Sequence, residues 1–135
     1  MIVREALVSD PRVLPAGAGA QEVAELLTHP NVRSALVVDD GRLVGCVTTD
    51  SIVAAVARGA DVHTLTAADL ADGDLTTISP DEPLEQALHL MAARDLERLP
   101  VTEDGRLVGV LPREPVLRRL AEEEPPHEPD AQQQV

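Results

Sequence analysis

The sequence predicts a mixed α/β (α+β) fold, in which two strand-helix-strand-strand-helix repeats pack against each other as a pseudo-twofold pair. Three observations predict it. The hexapeptide Asp40-Gly41-Arg42-Leu43-Val44-Gly45 returns unchanged as Asp104-Gly105-Arg106-Leu107-Val108-Gly109, a shift of 64 residues, which is the mark of a duplicated unit. Both copies place Asp-Gly between short apolar runs, the signature of a tight hairpin. Upstream of each hairpin, apolar residues recur at helical spacing. The same shift holds without a gap on either side, aligning Leu14 with Ile78, Leu26 with Leu90, Val32 with Leu96 and Val37 with Val101.

Taken in order, Arg12-Val13-Leu14 reads as a short extended run, and Val23, Leu26 and Leu27 give the first helix its apolar face. Leu36-Val37-Val38 and Leu43 to Val47 form the first hairpin, and Ser51 to Ala57 a closing helix. The connection from Arg58 to Asp74 holds one helical turn, where Thr66 and Asp69 stand at capping-box spacing. A second extended run, Leu75 to Ile78, precedes a helix with Leu84, Ala87, Leu88 and Met91 on one face. Its start carries Pro80, Asp81, Glu82 and Pro83, and both proline and acidic residues favour a helix N-terminus. The second hairpin turns at Asp104-Gly105, and Val116 to Glu123 is the last helix. The expected division is repeat 1 over residues 1–60, repeat 2 over 61–123, and a disordered acidic, proline-rich tail over 124–135. A repeat of this size buries little core alone, so the two should fold as one unit.

Composition narrows the function classes. The chain has 135 residues, a net charge of -13 and no Phe, Tyr or Trp. Such a field repels phosphate backbones, which argues against nucleic acid and against anionic membranes as partners. No apolar run is long enough for a membrane span and no leader is visible, so the expected location is cytoplasmic. All 11 basic residues are arginine, so lysine chemistry is absent. The lone Cys46 sits in an apolar run and reads as a small buried hydrophobe. The four histidines show no metal-binding spacing, and Ala16 to Ala20 lacks the lysine of a phosphate loop. No nucleophile, base and orienting group can be assembled from the motifs, so an enzyme is not expected. A core made of Val, Leu, Ile and Ala leaves faces such as Val53, Val56, Leu117 and Leu120 in need of cover, which predicts a homodimer.

The order of these motifs resembles the CBS (cystathionine beta-synthase) domain family. Ser79-Pro80-Asp81-Glu82-Pro83-Leu84 with Ala87, Leu88 and Met91, then Leu99-Pro100-Val101 and Asp104-Gly105-Arg106-Leu107-Val108-Gly109, carry the likeness in the second copy. Val37-Val38-Asp39-Asp40-Gly41-Arg42-Leu43-Val44-Gly45-Cys46-Val47-Thr48 carries it in the first. The resemblance spans about residue 5 to 121 and implies two clefts between the repeats. It implies a regulatory rather than catalytic role, and an adenosine-type ligand such as AMP, ATP or S-adenosylmethionine. With no attached effector expected in a chain of this length, the target would be another protein. The alternative is a ligand-free dimeric docking module.

The resemblance also points to site residues. Nucleotide-binding members follow the last-strand glycine with a hydroxyl residue and then an Asp opening the final helix. Gly45-Cys46-Val47-Thr48 fits the start, but Asp50 falls one residue early and Ser51 takes the acid's position. A carboxylate there would accept from ribose hydroxyls, while the hydroxyl and helix amides would donate to phosphate. Equally, Asp50 could simply cap the helix. In the second copy Pro112 and Pro115 replace the polar positions, which predicts one competent cleft rather than two. Arg98, before Leu99-Pro100-Val101, matches the cation that faces phosphate and would complement Thr48 across the cleft. A surface salt bridge is its other reading. Arg33-Ser34 is the weaker counterpart in the first copy.

Overall fold

Two hairpins joined edge to edge form the frame of the molecule. In the computed structural model, which describes residues 1–10 and 12–123, β1 (Val13–Pro15), α1 (Ala20–Leu27), β2 (Ser34–Asp39), β3 (Arg42–Thr48) and α2 (Thr49–Ala57) make the first half. A short α3 (Ala67–Leu70) follows, then α4 (Leu84–Arg94), β4 (Arg98–Glu103), β5 (Arg106–Pro112) and α5 (Arg113–Glu123). The strands form one five-stranded sheet in the order β1-β2-β3-β5-β4. The tail expected from residue 124 lies outside the described residues.

The shift of 64 residues is visible at the level of single hydrogen bonds. Asp40 and Gly41 have φ of 54° and 83°, and Asp104 and Gly105 have 55° and 82°. Positive φ at both central residues is the turn whose twist matches the strands it joins. Each hairpin carries a register shift at the same place, between Val37 and Val38 and between Val101 and Thr102. The hairpins meet where Arg42 faces Arg106, with Leu43 N–H donating to the Gly105 carbonyl at 3.1 Å and Leu107 N–H to the Gly41 carbonyl at 3.0 Å.

Two hydrophobic clusters lie under this sheet, and each borrows a turn from the other half. Ala67 and Leu70, past the expected boundary at residue 60, pack with Leu14, Val23, Leu27, Val37 and Val47. Val3, from the N-terminus, packs with Leu84, Met91, Leu99, Leu111 and Val116. Matching backbone bonds tie these turns down, Ala67 N–H to the Ala18 carbonyl at 2.7 Å and Val3 N–H to the Glu82 carbonyl at 2.9 Å. Neither half therefore completes its core without the other.

Several element boundaries differ from expectation. The closing helices begin at Thr49 and Arg113 rather than Ser51 and Val116. For α2 the reason is its cap: Thr48 is already the half-in residue, accepting from Ser51 N–H, so the helix starts immediately after it. The run Leu75 to Ile78 does not make a strand; it contributes a single parallel bridge between Ile78 and Val101. Thr66 and Asp69 do form the expected reciprocal cap. Val53, Val56 and Leu117 are exposed as anticipated, whereas Leu120 packs against the second cluster.

Candidate functional site

The hairpin register decides which residues share a cleft. Within each repeat the residue that opens the first hairpin strand pairs with the residue that ends the second, so Ser34 lies opposite Thr48 and Arg98 opposite Pro112. Arg98 thus sits beside the helix start of its own repeat, and Ser34 beside that of the first. Two cavities open between the halves. The smaller, of about 130 Å³, is lined by Asp10, Ser34, Cys46, Thr76 and Arg98 together with apolar residues that include Leu36 and Val110. The larger cleft, of about 790 Å³, is bounded by Arg12, Arg33, Arg98 and Arg113, by Asp95, Glu97 and Glu114, and by Pro112 and Pro115. Ser34, Leu96 and Arg98 line both.

Arg98 reaches the Asp10 carboxylate at 2.6 Å, and the Asp10 side chain is only 3% exposed. The same carboxylate oxygen accepts the Arg12 N–H at 2.9 Å. Arg98, which the sequence reads as facing phosphate or as one half of a surface pair, has its partner inside the protein while still lining both cavities. The two form a largely buried ion pair that joins the segment before β1 to the first residue of β4, and such pairs are costly to break from one side. Arg113 faces Asp95 at 3.8 Å, and its N–H donates to the Glu97 carbonyl at 2.8 Å.

Thr48 and Ser51 are brought together, but in a local cap. Ser51 N–H donates to Thr48 Oγ1 at 3.2 Å and Thr48 N–H donates to Ser51 Oγ at 3.1 Å. Asp50 is exposed in the first turn of α2 and does not cap it. None of the three lines either cavity. The shift of 64 residues sets them in register with Pro112, Glu114 and Pro115, so they occupy in the first repeat the place that bounds the larger cleft in the second.

Cys46 is only half-buried and lines the smaller cavity. Burial pushes its thiol pKa up, against hydrogen bonds from Ser34 and Ala35 that pull it down, so the thiol stays protonated at neutral pH. Asp10, Arg12 and Arg113 were not singled out by the sequence. Aligning the halves finds the cleft wall through Ser34 and Arg98, but the Asp10–Arg98 pair spans 88 residues and leaves no local pattern. Among the described residues there is no group of three or more His, Cys, Asp or Glu placed to hold a metal. No helix among them is long and apolar enough to cross a membrane.

Paired α+β repeats with a polar cleft between them define a tandem-repeat module. The sequence profile of the CBS domain matches residues 3–58 and again 67–122, and the chain belongs to that family. It is 32% identical over 85 residues to hypoxic response protein 1 of Mycobacterium tuberculosis, covering 62% of this chain and 59% of that one. It is 28% identical over 122 residues to a homoserine O-acetyltransferase of Methanohalobium evestigatum, covering 89% of this chain and 24% of that one. The chain thus spans about a quarter to three-fifths of the length of these two relatives. Among solved structures, CBSX2 in complex with AMP superposes with a TM-score of 0.72 at 25% identity, covering 90% of this chain and 96% of that one; CBSX2 is from Arabidopsis thaliana. The CBS domain pair of protein MJ0100, in complex with 5′-methylthioadenosine and S-adenosylmethionine, gives 0.66 at 25% identity, covering 92% and 98%.

Proposed function

We propose that this chain is a non-catalytic regulatory protein that senses an adenosine-type ligand, of the AMP, ATP or S-adenosylmethionine class, in the cleft between its repeats. Its occupancy is passed through a homodimer to a partner protein, and the site of action is the cytoplasm. The observation that carries this reading is the larger cleft. In a chain of net charge -13, its wall holds four arginines against three carboxylates, with Asp10 pairing Arg98 as a fourth, so the cleft is locally balanced where the molecular field is strongly negative. Beside it lies a smaller, mainly apolar cavity that suits a flat ring. Relatives of this family seen with AMP or with S-adenosylmethionine supply the ligand class.

A ligand anchored at Arg98 and Ser34 would extend toward Thr48, the register partner of Ser34. Thr48, Asp50 and Ser51 lie outside both cavities, so on this reading their hydroxyl, carboxylate and helix-end groups meet only a ligand group that passes beyond Ser34. The test is thermal unfolding and calorimetry with adenosine, AMP, ATP and S-adenosylmethionine. A ligand at about 100 times its dissociation constant stabilises by roughly 2.7 kcal/mol.

The second reading is a ligand-free dimeric docking module. Its support is that Arg98 is already paired, that Pro112 and Pro115 have no amide to donate, and that Val53, Val56 and Leu117 are 64%, 56% and 50% exposed. No melting shift with any of the four ligands, together with a stable dimer in sedimentation, would select it.

A further inference from the structure

We infer that Asp10 sets the ligand class of the inter-repeat cleft: by holding Arg98 as its internal counter-ion, it makes the site take an uncharged nucleoside in preference to the phosphate ester of that nucleoside. This rests on the reading of the cleft as an adenosine-type site. Arg98 stands at the junction of the two cavities, so a ligand that fills either one meets it. Its guanidinium is bonded at 2.6 Å to a carboxylate whose side chain is 3% exposed, and that carboxylate lines the smaller cavity.

A phosphate that captured Arg98 would do two unfavourable things at once. It would leave Asp10 without its cation in a place water scarcely reaches, and it would bring a second negative charge close to the first. A neutral nucleoside does neither. Its ring can enter the smaller cavity, against Leu36, Leu75, Pro100 and Val110, while the ion pair stays closed and offers polar edges to ring or ribose. Arg12 and Arg33 line only the larger cleft, where Glu97 and Glu114 share the wall. Charges on that open side are weakened by solvent and salt, and the Asp10–Arg98 pair much less so.

The experiment is calorimetric titration of the full chain with adenosine and with AMP, using wild type, Asp10→Asn, and Asp10→Asn combined with Arg98→Ala. Asparagine keeps the size of Asp10 and an oxygen for the Arg12 N–H, removes the charge and turns the other oxygen into an NH2 donor. Wild type should bind adenosine about tenfold or more tighter than AMP, since a phosphate must break a buried pair. Asp10→Asn should shift that ratio toward AMP by about tenfold or more, and adding Arg98→Ala should cancel the shift. Wild type that prefers AMP, or an Asp10→Asn protein that binds both with an unchanged ratio, would overturn the role of Asp10 and leave the cleft reading standing. Absence of binding of both ligands to wild type and to Asp10→Asn would overturn the cleft reading and this inference together. Should Asp10→Asn fail to fold, the wild-type preference alone decides.

Discussion

The two repeats share a backbone and differ in chemistry. Their hairpin strands, turns, register shifts and borrowed helical turns match at a shift of 64 residues, while β1 is reduced in the second repeat to the single bridge at Ile78. At the cleft they diverge: Thr48 and Ser51 cap α2 reciprocally, while Pro112 and Pro115 stand at the corresponding places before and within α5. Ser34 corresponds to Arg98, and only the second of these is paired with a buried acid. The cores differ as well, since Leu84 and Leu99 in the second stand where Ala20 and Ala35 stand in the first. Duplication thus preserved what makes the sheet and left free what lines the cleft. Backbone hydrogen bonding constrains the first, and any ligand constrains the second.

The largest expected effect is in the cores. Leu99 is fully buried, and Leu99→Ala gives the second repeat the side chain of the first without the neighbours that fill the space. Loss of about 2–5 kcal/mol of stability is expected in chemical denaturation. A loss under about 1 kcal/mol would show that the second core relaxes as the first has done. Ala35→Leu, the converse change, should overpack the first core and cost roughly 1–3 kcal/mol.

Next comes Gly45, where an added Cβ would lie 2.5 Å from the Asp72 carbonyl oxygen. That carbonyl accepts from Cys46 N–H at 3.0 Å in a two-bond bridge, so Gly45→Ala should displace the segment and lower the melting temperature. A loss of roughly 1–3 kcal/mol is expected. A smaller asymmetry is expected at the helix starts: Thr48→Ala should cost about 1 kcal/mol by removing the cap, whereas Pro112→Ala removes none. Equal effects would mean that the hydroxyl cap does not stabilise α2.

The smallest effect concerns Cys46. Its folded pKa is raised by burial, so its contribution to stability is full below the unfolded thiol pKa and is lost as pH rises through the folded value. Stability should therefore decline slightly at alkaline pH, once pH passes the unfolded thiol value of about 8.5, in a way that Cys46→Ser removes. Iodoacetamide should alkylate the folded protein more slowly than the urea-unfolded one.

Much of the fold was legible because it is local or periodic. The Asp-Gly turns, the helix faces and the Thr66–Asp69 cap are each written within a few residues. What was not legible is non-local: Val3 joining the second core and Asp10 meeting Arg98 depend on how the halves close. The helix starts were misplaced because Thr48, a strand residue by its apolar neighbours, serves also as the cap. At the site, the sequence identified Arg98 and Ser34 as corresponding positions. Their place on the wall of both cavities was not legible, because which strand ends meet across the repeats depends on how the two hairpins close on each other rather than on composition.

The central claim is that one cleft, between the repeats at Ser34 and Arg98, is the ligand site. It is tested most directly by the stoichiometry of adenosine binding to wild type and to Ser34→Leu, whose added branch fills the junction of the two cavities. The account predicts one adenosine per wild-type chain and binding weakened about tenfold or more in Ser34→Leu, as a polar, open junction is replaced by an apolar plug. Two equivalent sites per chain, or binding that Ser34→Leu leaves unchanged, would contradict it.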